Sequence, residues 1–263
     1  MKYATLYFCR SLPSAIYLLA MSMLLNACVQ NSNASADAEQ SEDGSRVLVF
    51  SRTMGFYHES IPSGIAAIQK LGKENGFRVD TTKDATKFTA ENLKKYRAII
   101  FLSTTQDVLN EEQEAAMEGY IRAGGGFVGI HAAADTEYKW PWYNKLVGAY
   151  FKSHPNSPNV RKAVVNVLDK DHLATKYLPQ KWERSDEWYN YKDINPDLKV
   201  LAKLDERTYE GGENGENHPI IWYHEYDGGR AFYTGGGHTK ESFEDPVFMQ
   251  HLLGGIKYAM GGE

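Results

Sequence analysis

Cysteine is almost missing from this chain. Among 263 residues there are two, Cys9 and Cys28, both close to the N-terminus. If Cys9 leaves with a cleaved leader and Cys28 carries lipid, the domain that follows has no thiol. That excludes a disulfide framework, a cysteine metal site and a cysteine nucleophile. Basic runs are also missing. The net charge is −5, and it becomes more negative once Lys2 and Arg10 are removed. Without a basic stripe or patch there is no electrostatic footprint for nucleic acid, so nucleic acid is excluded as a partner. Long apolar runs are lacking too. Leu12 to Leu25, broken by Pro13 and small residues, is too short and too poorly flanked for a stable span. No internal repeat and no second domain boundary interrupt the remainder, which is long enough to bury a core without covalent staples.

The first 27 residues read as a leader. Lys2 and Arg10 form a positive n-region, an apolar h-region follows, and the segment ends Leu25-Asn26-Ala27-Cys28. This end resembles a bacterial lipobox, in which the cysteine is lipidated and becomes the new N-terminus. An ordinary signal peptide cut near Ala27 and an uncleaved anchor are the alternatives. The expectation is an exported lipoprotein on the periplasmic side of a membrane, anchored through Cys28. Residues 28–45 are rich in Ser, Asn, Ala, Asp and Glu, and read as a solvated tether. Residues 46–263 read as one domain.

Within that domain, apolar segments alternate with helical ones over short links. Strands are expected at 46–51, 77–81 and 98–102, and a fourth ends at His131. A helix starts at Ile61-Pro62 with Ser60 as its N-cap, a short one spans 88–95, and one over 110–123 carries an Asn110/Gln113 capping box. This pattern predicts an α/β fold with a doubly wound, mostly parallel sheet. The strand ends then share one edge, so the loop with Arg52 and His58 faces the His131 turn. Further on, 160–168 and 200–205 read as strands, 218–226 and 229–234 as a hairpin about Asp227-Gly228-Gly229, and 245–260 as an amphipathic helix. Residues 151–159 read as irregular. Residues 176–194 show little periodicity and are expected to fold over the sheet edge as a cover.

The segment Gly124 to Thr136 is central. Gly129-Ile130-His131-Ala132-Ala133 has the shape of a nucleophile elbow, in which a sharp turn exposes one side chain above the sheet. A histidine there cannot form an acyl-enzyme as Ser or Cys does. It can be a base, an electrophile or a metal ligand, or simply a hydrogen-bonded residue ending a core strand. The 17 Tyr and 5 Trp suit either sugar stacking or an aromatic core.

Arg52-Thr53 with Gly55 to Pro62, Gly124 to Ala133, Asp186-Glu187-Trp188-Tyr189, His218 to Trp222 and Gly229 to His238 together resemble the ThuA-like family, the trehalose utilization proteins. The resemblance covers about 46–260, with the motifs in order. It implies a class I glutamine amidotransferase-like, flavodoxin-like fold. It also implies a role in bacterial use of trehalose-type disaccharides through 3-keto-sugar intermediates. The chain departs from the amidotransferase pattern at the elbow, where His131 replaces cysteine, and at His238, which is followed by Thr239-Lys240-Glu241 rather than forming His-x-Glu. Glutamine hydrolysis through a thioester is therefore excluded.

His131, His58, Glu187 and His238 are the candidate catalytic residues. Arg52, Trp188, Tyr189 and Asp135 are the candidate sugar contacts. The three imidazoles of His58, His131 and His238 are also candidate ligands of a divalent metal, or they supply an acid and a base for proton abstraction beside a ketone. His154 and His218 stand second; His172, His224 and His251 read as surface or helix residues. The expected partner is a small-molecule sugar, with the membrane reached through the lipid. Oligomeric state is left open, a homo-oligomer included. An enzyme acting by hydrolysis, elimination or isomerisation and a lipid-anchored sugar-binding protein without turnover are the two functional readings.

Overall fold

The computed structural model describes residues 45–262. The expected leader, Cys28 and all but the last residue of the expected tether lie outside them. Strands β1 (Arg46–Phe50), β2 (Arg78–Thr82), β3 (Ala98–Leu102) and β4 (Gly126–Ile130) pair in parallel in the order β2-β1-β3-β4. β11 (Gly229–Thr234) continues this parallel set beside β4. Every residue of β3 and β4 is buried, as the unbroken apolar runs require when both faces are covered. α1 (Ile61–Asn75) packs against α5 (Pro246–Ala259), which lies on β4 and β11; α2 (Ala90–Leu93) packs against α3 (Glu111–Arg122), and α3 and α4 (Pro141–Val147) lie on β11. The five parallel strands thus follow the flavodoxin-like order and are doubly wound.

Beyond β11 the sheet turns antiparallel through β10 (Pro219–Tyr226), β9 (Lys199–Asp205), β6 (Val160–Val167) and β7 (Lys181–Glu187). Four reversals make β7 run the same way as β11, so Glu187, its last residue, arrives at the edge where β1, β4 and β11 end. These outer strands curl back toward the parallel half. Trp182 stacks near Phe248 of α5, and Arg184 Nη2 donates to Ser242 Oγ at 2.8 Å.

Several local expectations need correction. The 176–194 segment is no loose cover, because it contains β7 and β8 (Asn190–Lys192). Residues 151–159 are not wholly irregular, since β5 (Tyr150–Ser153) pairs with β8. Ser60 occupies the N-cap of α1 but makes no capping bond; its hydroxyl donates to the Gly237 carbonyl at 2.9 Å instead. The backbone of Ser60 is helical (φ −79°, ψ −14°) rather than in the extended conformation that aims an N-cap oxygen at the first amides. His224 is neither a surface nor a helix residue: it is buried in a strand, with Nε2 against Lys145 O; His251 lies on α5 as expected, buried with Nδ1 against Ala174 O. The hairpin forms as expected. Asp227 (φ 49°) and Gly228 (φ 92°) form its two-residue turn, the left-handed pair that matches strand twist.

Candidate active site

Four chain segments meet at the edge where the parallel strands end. His58 sits on the loop after β1, just before α1, and that loop is tied down by Met54 N–H donating to Thr105 O at 2.9 Å. His131 follows β4 with φ +50°, a left-handed conformation rare for a residue with a Cβ. It opens a 3₁₀ turn, His131–Asp135. His238 follows β11 through Gly235-Gly236-Gly237. Gly237 has φ +114°, which only glycine adopts without strain. Glu187 ends β7.

The distances define a compact cluster. Glu187 Oε2 lies 3.2 Å from His131 Nε2 and 3.1 Å from His238 Nδ1, and the two nitrogens are 3.3 Å apart. The ring of His58 meets that of His131 edge-on at 4.8 Å and that of His238 at 5.2 Å. One donor atom from each of the four residues lies within 4.8 Å of the other three, so this group can hold a metal ion. Burial pushes the His58 imidazole down to about 2, helped by the nearby His131 and His238, and keeps it neutral. For Glu187 burial opposes ionisation, but the adjacent His131 and His238 imidazoles outweigh it and hold the carboxyl well below the usual range. For His238 burial opposes the charge, and Glu187 overcomes it, raising the imidazole.

Above the cluster is a cavity of about 220 Å³, lined in part by His58, Glu187, Asp135 and Tyr189. Phe56 and Phe151 add aromatic walls, and His154 and Asn159 add polar ones. Larger depressions occur elsewhere, about 610 Å³ beside Asp107 and Glu114 and about 520 Å³ beside Lys203 and Asp205, but neither gathers imidazoles. Convergent polar chemistry, not volume, marks the site.

The family model described as ThuA, trehalose utilisation, matches residues 46–259. This chain belongs to the ThuA family. Membership ties it to carbohydrate use. Among solved structures, a putative ThuA-like protein from Bacteroides uniformis ATCC 8492 is 27% identical, with a TM-score of 0.68 over 82% of this chain and 91% of its own. One from Parabacteroides merdae ATCC 43184 is 23% identical, with a TM-score of 0.65 over 83% and 90%. The β-galactosidase from Bacillus circulans sp. alkalophilus shares the fold at 14% identity and a TM-score of 0.54, over 83% of this chain and 31% of its own. No protein of curated function matches.

In this ThuA-family chain the expected wall residues divide. Tyr189 lines the cavity, its ring 4.3 Å from that of His131. Asp135 lines it too; its Oδ1 accepts from Tyr138 Oη at 2.5 Å and from Gln106 Nε2 at 3.3 Å, and burial raises its carboxyl. Arg52 does not line the cavity. Its guanidinium donates to Val108 O at 3.0 Å. Trp188 is also elsewhere, because consecutive residues leaving a strand face opposite sides. Its indole N–H donates to Arg161 O at 2.7 Å, and its ring lies under Arg184. His131 is not exposed as an elbow nucleophile would be. It is fully buried, its Nδ1 3.0 Å from Gly235 O. His218 supports from behind, with Nε2 2.8 Å from Tyr189 O and Nδ1 2.7 Å from Glu206.

Two residues carry more than the sequence indicated. Asn159 Nδ2 donates to Glu187 Oε1 at 2.6 Å, a contact created by the β6–β7 register that pairs Val160 with Glu187. Asp186 is fully buried. It accepts from the backbone N–H of Gly237 (2.9 Å), His238 (3.0 Å) and Glu187 (3.0 Å) and from the side chains of Arg184 and Ser242 (both 2.9 Å). One carboxylate therefore sets the positions of both Glu187 and His238. Its place beside Glu187 in a shared motif was the one signal available.

Proposed function

We propose that this chain is an enzyme of disaccharide use that acts on the 3-keto derivative of a trehalose-type sugar by elimination. The observation that carries the reading is the convergence of His58, His131, Glu187 and His238, from four separate segments, beneath an aromatic-walled cavity. Binding a neutral sugar needs few ionisable groups; moving protons needs several.

The chemistry follows from the ketone. A C3 carbonyl acidifies the C2–H bond. Asp135 is assigned as the base: it lines the cavity, and burial raises its carboxyl whereas Glu187 is held low. As the base takes the C2 proton, the C–H electron pair forms the C1–C2 double bond. The C1–O bond to the second sugar breaks with its pair, and the leaving oxygen takes a proton. The His131 and His238 imidazoles, held in place by Glu187, form the electrophilic end that stabilises charge developing on the carbonyl oxygen. Phe56, Phe151 and Tyr189 offer ring faces to the sugar.

Incubation with 3-keto-trehalose is expected to release glucose and an unsaturated keto sugar that absorbs in the ultraviolet, while trehalose itself is left intact. Binding of both sugars without any product would overturn the enzyme reading in favour of a binding protein. Phe56 is 66% exposed at the cavity mouth. Phe56→Ala is expected to raise KM roughly tenfold with kcat little changed, since stacking in both ground and transition states is uniform binding; steady-state kinetics checks this.

We further propose that the protein is tethered through lipid on Cys28, on the periplasmic face of a membrane, as the Leu25 to Cys28 sequence suggests. Cys28→Ala is expected to shift it from the membrane to the soluble fraction. Unchanged fractionation, with no lipid mass at the N-terminus, would contradict the tether.

A further inference from the structure

Three donor atoms form a nearly equilateral triangle beside the cavity, which Glu187 lines and His131 and His238 do not: His131 Nε2 to Glu187 Oε2 at 3.2 Å, His238 Nδ1 to Glu187 Oε2 at 3.1 Å, and nitrogen to nitrogen at 3.3 Å. Neutral hydrogen bonding does not satisfy it. His131 Nδ1 faces the Gly235 carbonyl at 3.0 Å, and a carbonyl only accepts, so the proton is on Nδ1. In that tautomer the lone pair of Nε2 points at the Glu187 carboxylate, between side chains that are 0% and 4% exposed. A single proton on His238 Nδ1 can serve Glu187 or His131 well, but not both. His58 Nδ1 is buried with no hydrogen-bond partner. Buried lone pairs facing one another are costly.

We infer that His131 Nε2, His238 Nδ1 and Glu187 Oε2 bind one divalent first-row transition-metal ion, with His58 in reach as a fourth donor. Bonds of about 2.1 Å place neighbouring donors about 3.0 Å apart in an octahedral site and about 3.4 Å apart in a tetrahedral one. The triangle falls between these values. Two imidazoles and one carboxylate on a single face form the facial arrangement that leaves other positions open. The donor set favours zinc, iron, manganese or cobalt over calcium and magnesium, which prefer all-oxygen sites, and over copper(I), which prefers sulfur.

Supporting contacts are in place. The Gly235 carbonyl fixes the His131 tautomer, the Asn159 amide holds the other Glu187 oxygen, and Asp186 holds the backbone of both Glu187 and His238. On metal binding the His238 proton moves to Nε2, and the 3.4 Å contact of that atom with the Asn159 amide gives way. Glu187 and His58 line the cavity, so an ion held by this group lies beside it, within reach of a sugar oxygen. That use of the ion rests on the function proposed above; its binding does not.

The test is metal binding itself. The purified protein, freed of metal by chelation, is titrated with Co²⁺ and followed by its visible absorption, and metal content is measured after growth in metal-replete medium. One ion per chain is expected. Glu187→Gln should weaken Co²⁺ binding at least 100-fold, and Asn159→Ala about 10- to 100-fold. His172→Ala, remote from the cluster, should leave it unchanged. A folded protein with no stoichiometric ion and no cobalt spectrum would overturn the inference, as would equal affinity in wild type and Glu187→Gln. Full turnover of 3-keto-trehalose by the chelated protein would overturn the use of the ion in turnover, but neither its binding nor the enzyme reading. A metal-loaded protein without turnover would overturn the enzyme reading but not the binding.

Discussion

Glu187→Gln is expected to lower kcat on a 3-keto disaccharide by about 100- to 10,000-fold while the fold survives. The substitution keeps the volume of the side chain and an oxygen for Asn159. It removes the charge that faces His131 and His238 at 3.2 and 3.1 Å. Circular dichroism should be unchanged and the rate loss should sit in kcat, because the interaction matters most as charge develops on the substrate. Asp135→Asn should cause a loss of similar size by a different route. In the wild type a base must be ionised to act, so the rate falls as pH drops through the Asp135 pKa, which burial raises from its ordinary value. Whatever rate survives in Asp135→Asn should lack that acid limb. An unchanged acid limb would assign the base elsewhere.

The second large effect falls on stability. Asp186 is fully buried and is the ion-pair partner of Arg184, whose side chain is 7% exposed. Asp186→Asn leaves that guanidinium without its counter-charge and turns an amide donor toward a ring of donors. Breaking a buried pair from one side costs about 3–5 kcal/mol, which corresponds to roughly 6–20 °C in Tm for a domain of this size. Denaturant and thermal unfolding would measure it, and a loss below about 1 kcal/mol would show that the five hydrogen bonds are not cooperative. Any folded fraction should also lose turnover, since Asp186 positions the amides of His238 and Glu187.

The parallel half of the sheet was readable because its causes are local. β1, β3 and β4 are unbroken apolar runs closed by turn residues, and α3 announces itself through the Asn110/Gln113 box, both halves of which form. The edge shared by His58 and His131 followed from topology. The antiparallel half was harder. β7 carries Glu183, Arg184 and Asp186, charges that normally argue against a buried strand. Arg184 and Asp186 are satisfied by each other, by Ser242 and by the Gly237 and His238 amides, none of which a local window contains. Asn159 reaches Glu187 only through strand register. Trp188 was placed at the wall by its proximity in sequence to Glu187, but side-chain alternation sends it the other way. His131 was expected to stand clear of the core. Tyr189, His58 and His238 close around it instead.

The central claim is that the disaccharide is processed in the cavity above His58, His131, Glu187 and His238. The most direct test is a crystal structure of the Glu187→Gln protein with 3-keto-trehalose bound. The account predicts one sugar ring against Tyr189 and Phe56, its C2 carbon facing Asp135 and its carbonyl oxygen turned toward the His131 and His238 imidazoles. A sugar bound at another surface, or bound here with its carbonyl facing away from those imidazoles, would contradict it.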